Sequence, residues 1–168
     1  MKHFKGVFAI DRLPLVFSLP AIFIINHDRY GMPGSHWVSI SINDTGIATY
    51  FDSYGLEPIQ NYLKFFLRLH SKHWNYNKTR LQGVISAVCG QYSCVFALYE
   101  SMGLGMDAFI KRFSKTNFCF NDQLVIELFR HTFGTCRACD VEERRTQRCL
   151  PELDIVNRGT SYKSLGVS

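Results

Sequence analysis

No apolar run in the chain approaches the roughly 20 residues that a membrane helix needs, because Pro14, Ser18, Pro20 and Asn26 interrupt the longest one. No membrane association is therefore expected. The start Met1-Lys2-His3-Phe4-Lys5 is basic, but Asp11 and Arg12 break the apolar stretch that a secretory leader would require. An intracellular protein that is not secreted is the expectation. Repeats, low-complexity tracts and internal linkers are also missing, and 168 residues fit one compact domain, expected as a monomer. Hydrophobic residues at 46% and charged residues at 20% exclude a chain disordered by composition. After Thr135 hydrophobic periodicity fades, and six basic and five acidic residues mix with small ones. The expected division is a single domain over 1–135 and a peripheral or flexible tail over 136–168.

Acidic residues are wholly absent between Glu57 and Glu100, where Lys64, Arg68, Lys72, Lys78 and Arg80 all fall. Those five equal the whole formal excess of +5. Pro58 opens a predicted helix whose apolar stripe is Ile59, Tyr62, Leu63, Phe66 and Leu67. Lys64, Arg68 and Lys72 recur every four residues on its other side. With Lys78, Arg80, Trp74 and Tyr76 they form a candidate track for a nucleic-acid backbone, and a solvated helix face explains the same charges. The six cysteines, without a leader, point to free thiols in a reducing compartment. His131, Cys136, Cys139 and Cys149 include only one CxxC pair, so no metal site is expected.

Ala21–Ile25 reads as a buried strand. In Ser35–Ile42, His36, Val38, Ile40 and Ile42 alternate onto one face, Asn43-Asp44-Thr45-Gly46 is turn chemistry, and Ile47–Asp52 returns as a second strand. A hairpin centred on that turn pairs residues whose numbers sum to about 88 to 90, which puts His36 opposite Asp52 or one residue away. Thr79–Val84 is a further candidate strand. Cys89–Met102 is apolar nearly all round, the pattern of a helix in the middle of a fold, with Gly103 as its stop. Asp122 is the expected cap of a last helix ending at Phe133-Gly134. The fold class expected is α+β, a central mixed or antiparallel sheet flanked by helices.

The candidate catalytic residues are His36, Asp52, Gln82 and Cys89. Cys89 stands where a loop enters the buried helix, so the unpaired N–H groups of the first turn favour a thiolate there. His36 would take the thiol proton and return it to a leaving amine, while Asp52 would hold the imidazole in one tautomer. Gln82, seven residues before Cys89, is far enough away to turn back and aim its amide at a developing oxyanion beside the Cys89 N–H. Gly90 presents no side chain to an approaching substrate backbone. Trp37 suits either a shield over the imidazole or an ordinary inward aromatic. Cys94, one turn deeper, is packing.

The run Gln82-Gly83-Val84-Ile85-Ser86-Ala87-Val88-Cys89-Gly90 resembles the Gln-to-Cys-Gly segment of the adenain family of adenovirus processing proteases. Gly34-Ser35-His36-Trp37 and Phe51-Asp52-Ser53-Tyr54-Gly55 are similar to that family's His-Trp and acid–aromatic–Gly segments. Phe4-Lys5-Gly6 and Asp11-Arg12-Leu13-Pro14 look like its early segment. The order His, acid, Gln, Cys is that of the wider clan that includes the ubiquitin-like-protein proteases. The resemblance implies that clan's fold and a cysteine endopeptidase that cleaves viral or virus-like precursor proteins near glycine, without a required cofactor. It also implies DNA as an activator and partner, and the host nucleus or the virion as the setting. The acid is Asp52 where adenain carries Glu, and Asp is usual in the ubiquitin-like-protein proteases, so deconjugation of such modifiers is the alternative. A non-catalytic DNA-binding module on a protease scaffold is a further one. Adenain bonds an activating viral peptide through a cysteine ahead of the Gln, but Met1–Val88 holds none, so that device does not transfer.

Overall fold

The computed structural model describes residues 1–134. Its centre is a five-stranded mixed sheet in sequence order, β1 (Phe4–Ala9), β2 (Ala21–Asn26), β3 (Trp37–Ile42), β4 (Ile47–Phe51) and β5 (His73–Tyr76). The two outer pairs, β1 with β2 and β4 with β5, are parallel, and the inner pairs are antiparallel. The α+β expectation holds.

Helices cover both faces. On one, alternate residues Phe23, Ile25, Val38, Ile40, Ala48 and Tyr50 form a core with Leu63, Phe66 and Leu67 of α1 (Asn61–His70). The stripe drawn from the sequence is only partly buried: the helix starts at Asn61, which leaves Ile59 outside it and exposed, and Tyr62 in its first turn is exposed as well. On the other face lies α2 (Cys89–Ser101), between the sheet and the two helices α3 (Gly105–Ile110) and α4 (Phe118–Phe133). It packs close to β3 because, beyond Trp37 at its start, that strand offers only the small Ser39 and Ser41 on this side. Ser39 donates to the Ser93 carbonyl at 2.9 Å and Ser41 to Glu100 at 2.7 Å. Being enclosed on all sides is why its sequence lacks a polar face. It stops at Gly103, whose φ of +74° suits glycine.

Three expectations need correction. Thr79–Val84 is a loop, and the extra strand is β5, placed beside β4 by the α1 crossover. Asp122 does not cap α4: Asn117 does, accepting from the Phe120 N–H at 3.0 Å, and Asp122 sits buried one turn further in. In the β3–β4 hairpin the paired residue numbers sum to 90, so that register sets Asp52 two residues from the position opposite His36. The division at residue 135 and the tail 136–168 fall outside the described residues. Among the described residues no helix is long and apolar enough to cross a membrane.

Candidate active site

His36 and Asp52 both lie just beyond the paired ends of the hairpin, His36 before β3 and Asp52 after β4. A diagonal pair on one face of a hairpin is still within reach of long side chains. Nε2 of His36 is accordingly 3.1 Å from Oδ1 of Asp52. That is ion-pair distance, although the N–H is not lined up for a straight hydrogen bond. The offset register puts Tyr54 beside the imidazole instead, ring centroids 5.3 Å apart.

Asp52 is almost fully buried and is held by its backbone. Its N–H donates to Oδ1 of Asn77 at 2.9 Å, and its carbonyl accepts from Nδ2 of the same residue at 2.6 Å. One side-chain amide thus continues the ladder where β4 ends. The carboxylate also accepts from the Tyr54 N–H at 2.8 Å, and the turn closes with Gly55 donating to the Asp52 carbonyl at 2.8 Å. Gly55 has φ +72°, and a Cβ there would stand 2.8 Å from the backbone of Thr79, so the turn requires glycine.

Cys89 is the first residue of α2, 7% exposed, and Val88 before it supplies no side-chain cap. Cys89 therefore sits at the positive end of the α2 dipole, where leading N–H groups lack intrahelical partners. The Cys89 side chain is near enough to the imidazole to favour its charged form, while Nε2 of the ring faces Asp52. Burial disfavours the charged ring, yet the adjoining Asp52 carboxylate and Cys89 side chain outweigh it and push the His36 pKa up to about 9. His27 meets the same ring edge to face at 5.0 Å, and burial together with the His36 charge holds its own pKa down to about 4. An imidazole backed by a carboxylate can take the proton of a neighbouring thiol, and the resulting imidazolium–thiolate pair stores that proton for a leaving group. The space a side chain would fill at Gly90 is bounded by Trp37 at 3.6 Å, so Trp37 roofs the start of α2 while packing on Ile22, Ile24 and Ala97.

Gln82 is fully buried on the loop leading to Cys89. Its Oε1 accepts from the Ser53 hydroxyl at 2.6 Å, and its Nε2 donates to the Ser86 carbonyl at 2.8 Å, which leaves one amide hydrogen uncommitted. The Ser53 carbonyl accepts from the backbone N–H groups of Leu81 and Gln82, tying this loop to the turn that carries Asp52. His36, Asp52 and Cys89 are thereby gathered at one end of the sheet, with Gln82 attached through Ser53.

The basic residues are not gathered in the same way. The helical row expected from the sequence is broken: Lys64 and Arg68 lie on α1, but the helix ends at His70 and Lys72 falls beyond it, its N–H donating to the Gly46 carbonyl at 2.8 Å. Lys78 lies over the Tyr76 ring at 5.8 Å. Arg80 is taken up in the Gln82 loop: its Nε donates to the Gln82 carbonyl at 2.9 Å, and its guanidinium stacks 4.1 Å over Phe118. Trp74 and Tyr76 are half-buried against the core under α1, which turns them away from a stacking role. No cluster of three metal-ligating side chains occurs among the described residues, and Cys136, Cys139 and Cys149 lie outside them. Sequence reasoning missed His27, Asn77 and Ser53. An Asx residue just after the aromatic strand His73–Tyr76 was the available signal for Asn77.

No family model matches the chain. A protein of Acanthamoeba polyphaga mimivirus named as a thiol protease is 36% identical to it over 111 residues, covering 58% of this chain and 36% of the relative. The chain thus spans about a third of the length of that curated relative. Among solved structures, an ASFV protease aligns with 61% of this chain and 43% of its own, at TM-score 0.41 and 21% identity.

Proposed function

We propose that this chain is a viral cysteine endopeptidase of the clan shared by adenain and the ubiquitin-like-protein proteases. The observation that carries the reading is one imidazole held between a buried carboxylate and a helix-terminal thiol, with its pKa raised to about 9 by both. Likeness to a mimivirus protein named as a thiol protease supports it. Cys89 as thiolate attacks the scissile carbonyl. The His36 imidazolium gives its proton to the departing amine, and a thioester forms. Water then attacks that thioester, His36 takes the water proton, and the sulfur leaves with the acid released. Asp52 keeps the ring oriented and stabilises its charge. The Cys89 N–H and the free hydrogen of Gln82 Nε2 receive the oxyanion.

The substrates in this reading are viral or virus-like precursor proteins cut next to small residues, glycine above all, in the host nucleus or the virion. DNA is the proposed activator, contacted by Lys64, Arg68, Lys72 and Lys78, whereas Arg80 serves the loop instead. Asp52 in the acid position favours one second reading, deconjugation of ubiquitin-like modifiers. A panel of viral-type Gly-Gly precursor peptides and modifier conjugates, each assayed with and without DNA at low salt, distinguishes these readings. Cleavage of the precursor peptides alone is the expected result, and cleavage confined to the conjugates overturns it.

Gln82→Ala tests the oxyanion role. Loss of one such donor typically lowers kcat by about 10²–10³-fold. That loss with KM little changed is expected from steady-state kinetics. A rise in KM at constant kcat would assign Gln82 to substrate binding instead.

A further inference from the structure

The peptide unit that joins Gln82 to Gly83 is pinned at both ends, and both pins lead to α4. At one end the Gln82 carbonyl accepts from Arg80 Nε, whose guanidinium rests on Phe118, the first residue of that helix. At the other, the Gly83 N–H lies 3.1 Å and 3.4 Å from the two oxygens of Asp122. Between them Asn121 donates to the Leu81 carbonyl at 3.0 Å. Phe118, Asn121 and Asp122 stand at i, i+3 and i+4, one face of the first turns of α4, and they grip three consecutive points of the loop.

Asp122 is 2% exposed and has no capping duty, so packing alone does not explain a carboxylate there. A buried charge is costly unless donors surround it, and here they are the Gly83 N–H and the Tyr92 hydroxyl, shared between Asp122 at 3.1 Å and the Leu81 carbonyl at 3.2 Å, while the Ser86 hydroxyl beside them donates to the Gly83 carbonyl at 3.2 Å. Ser86 and Gly83 are the loop itself. The fit is also steric: a Cβ at Gly83 would come within 2.8 Å of Asp122 Oδ2, although the Gly83 φ makes no special demand. The glycine is needed for the approach of the carboxylate.

Resting on the protease reading above, we propose that Asp122 is a positioning residue: through the Gly83 N–H it fixes the peptide plane that aims the Gln82 amide at the oxyanion. It touches neither the thiol nor the imidazole. Its loss should therefore separate two properties of the site, charge separation at Cys89 and stabilisation of the tetrahedral state.

The test compares wild type with Asp122→Ala, Asp122→Asn, Gly83→Ala and the double variant Gly83→Ala/Asp122→Ala in the full chain. Three quantities are measured: turnover of a fluorogenic Gly-Gly peptide, the rate of Cys89 alkylation by iodoacetamide, and amide hydrogen exchange at residues 83–86. A misplacement of about 1 Å can cost 10²-fold, so Asp122→Ala should lower kcat by about 10- to 100-fold with KM within about twofold. Alkylation should stay within about twofold of wild type, and exchange at 83–86 should accelerate. Asp122→Asn keeps an acceptor for Gly83 and should retain most of the rate. Gly83→Ala should repeat the Asp122→Ala phenotype, and the double variant should be no worse than the worse single one, since removing the carboxylate makes room for the methyl group. Unchanged kcat and unchanged exchange in both single variants overturn the proposal, as does alkylation falling in parallel with turnover. Failure of the protease reading looks different: wild type itself neither cleaves nor is selectively alkylated at Cys89, while the exchange measurement still reports whether Asp122 holds the loop.

Discussion

Cys89→Ala is expected to abolish peptide cleavage while leaving a cooperatively folded protein. The substitution removes one sulfur atom from a small side chain at the mouth of α2, so the packing loss is modest, on the order of 1 kcal/mol. Everything that orders the neighbourhood remains: the Trp37 roof, the Ser39–Ser93 contact and the Asn77 clamp on Asp52. Chemistry loses its nucleophile altogether. Removing the nucleophile from a comparable triad lowers kcat on the order of 10⁶-fold, which for a peptidase is loss of detectable turnover. Thermal melting alongside a cleavage assay checks both halves. A folded Cys89→Ala protein that still cuts would end the assignment.

The second large effect is on proton traffic. With the His36 pKa raised to about 9, the ring is charged at neutral pH and, in the proposed reaction, is the acid for the leaving amine. In wild type, kcat/KM should therefore fall as pH rises through about 9, where that proton is lost. His36→Ala should lose about 10²–10⁴-fold in rate together with this descending limb. Its Cys89 should also alkylate slowly near pH 6, because no base is left to accept the thiol proton. Asp52→Asn takes away the strongest support for the charged ring, so the limb should move to lower pH rather than vanish. A His36→Ala variant with the wild-type profile would show that another group holds the proton. The same values act on stability with opposite signs. The contribution of His36 is complete below its ordinary value of 6.5 and fades as pH rises towards 9. His27, held near 4, resists the proton that the unfolded chain accepts, so it weakens the fold as pH drops from 6.5 towards 4. The two terms together favour near-neutral pH.

Local patterns account for what was legible in the sequence. Alternation in Ser35–Ile42, turn chemistry at Asn43–Gly46 and the all-round apolar run after Cys89 each carry their information within a dozen residues, and β3, β4 and α2 follow them. The meeting of His36 with Asp52 was readable because a hairpin register is local, although the true register is offset and only diagonal reach closes the gap. What escaped was non-local. β5 is four residues of alternating polar and aromatic character, and only its parallel pairing with β4, after the α1 crossover, makes it a strand. Asp122 sits near a helix start, as a capping residue would, and its partners Gly83 and Tyr92 are 39 and 30 residues away in the chain. Arg80 counted as surface charge until Phe118 and the Gln82 carbonyl enclosed it.

The Asn77 clamp has a consequence for how this architecture can vary. Because an amide planted just after β5 fastens Asp52 by both its N–H and its carbonyl, the acid takes its coordinates from the far edge of the sheet. The intervening excursion through α1 does not have to carry that information. Its helix can be lengthened, trimmed or exchanged, and the placement of Asp52 beside His36 will persist so long as the seam between β4 and β5 stays in step.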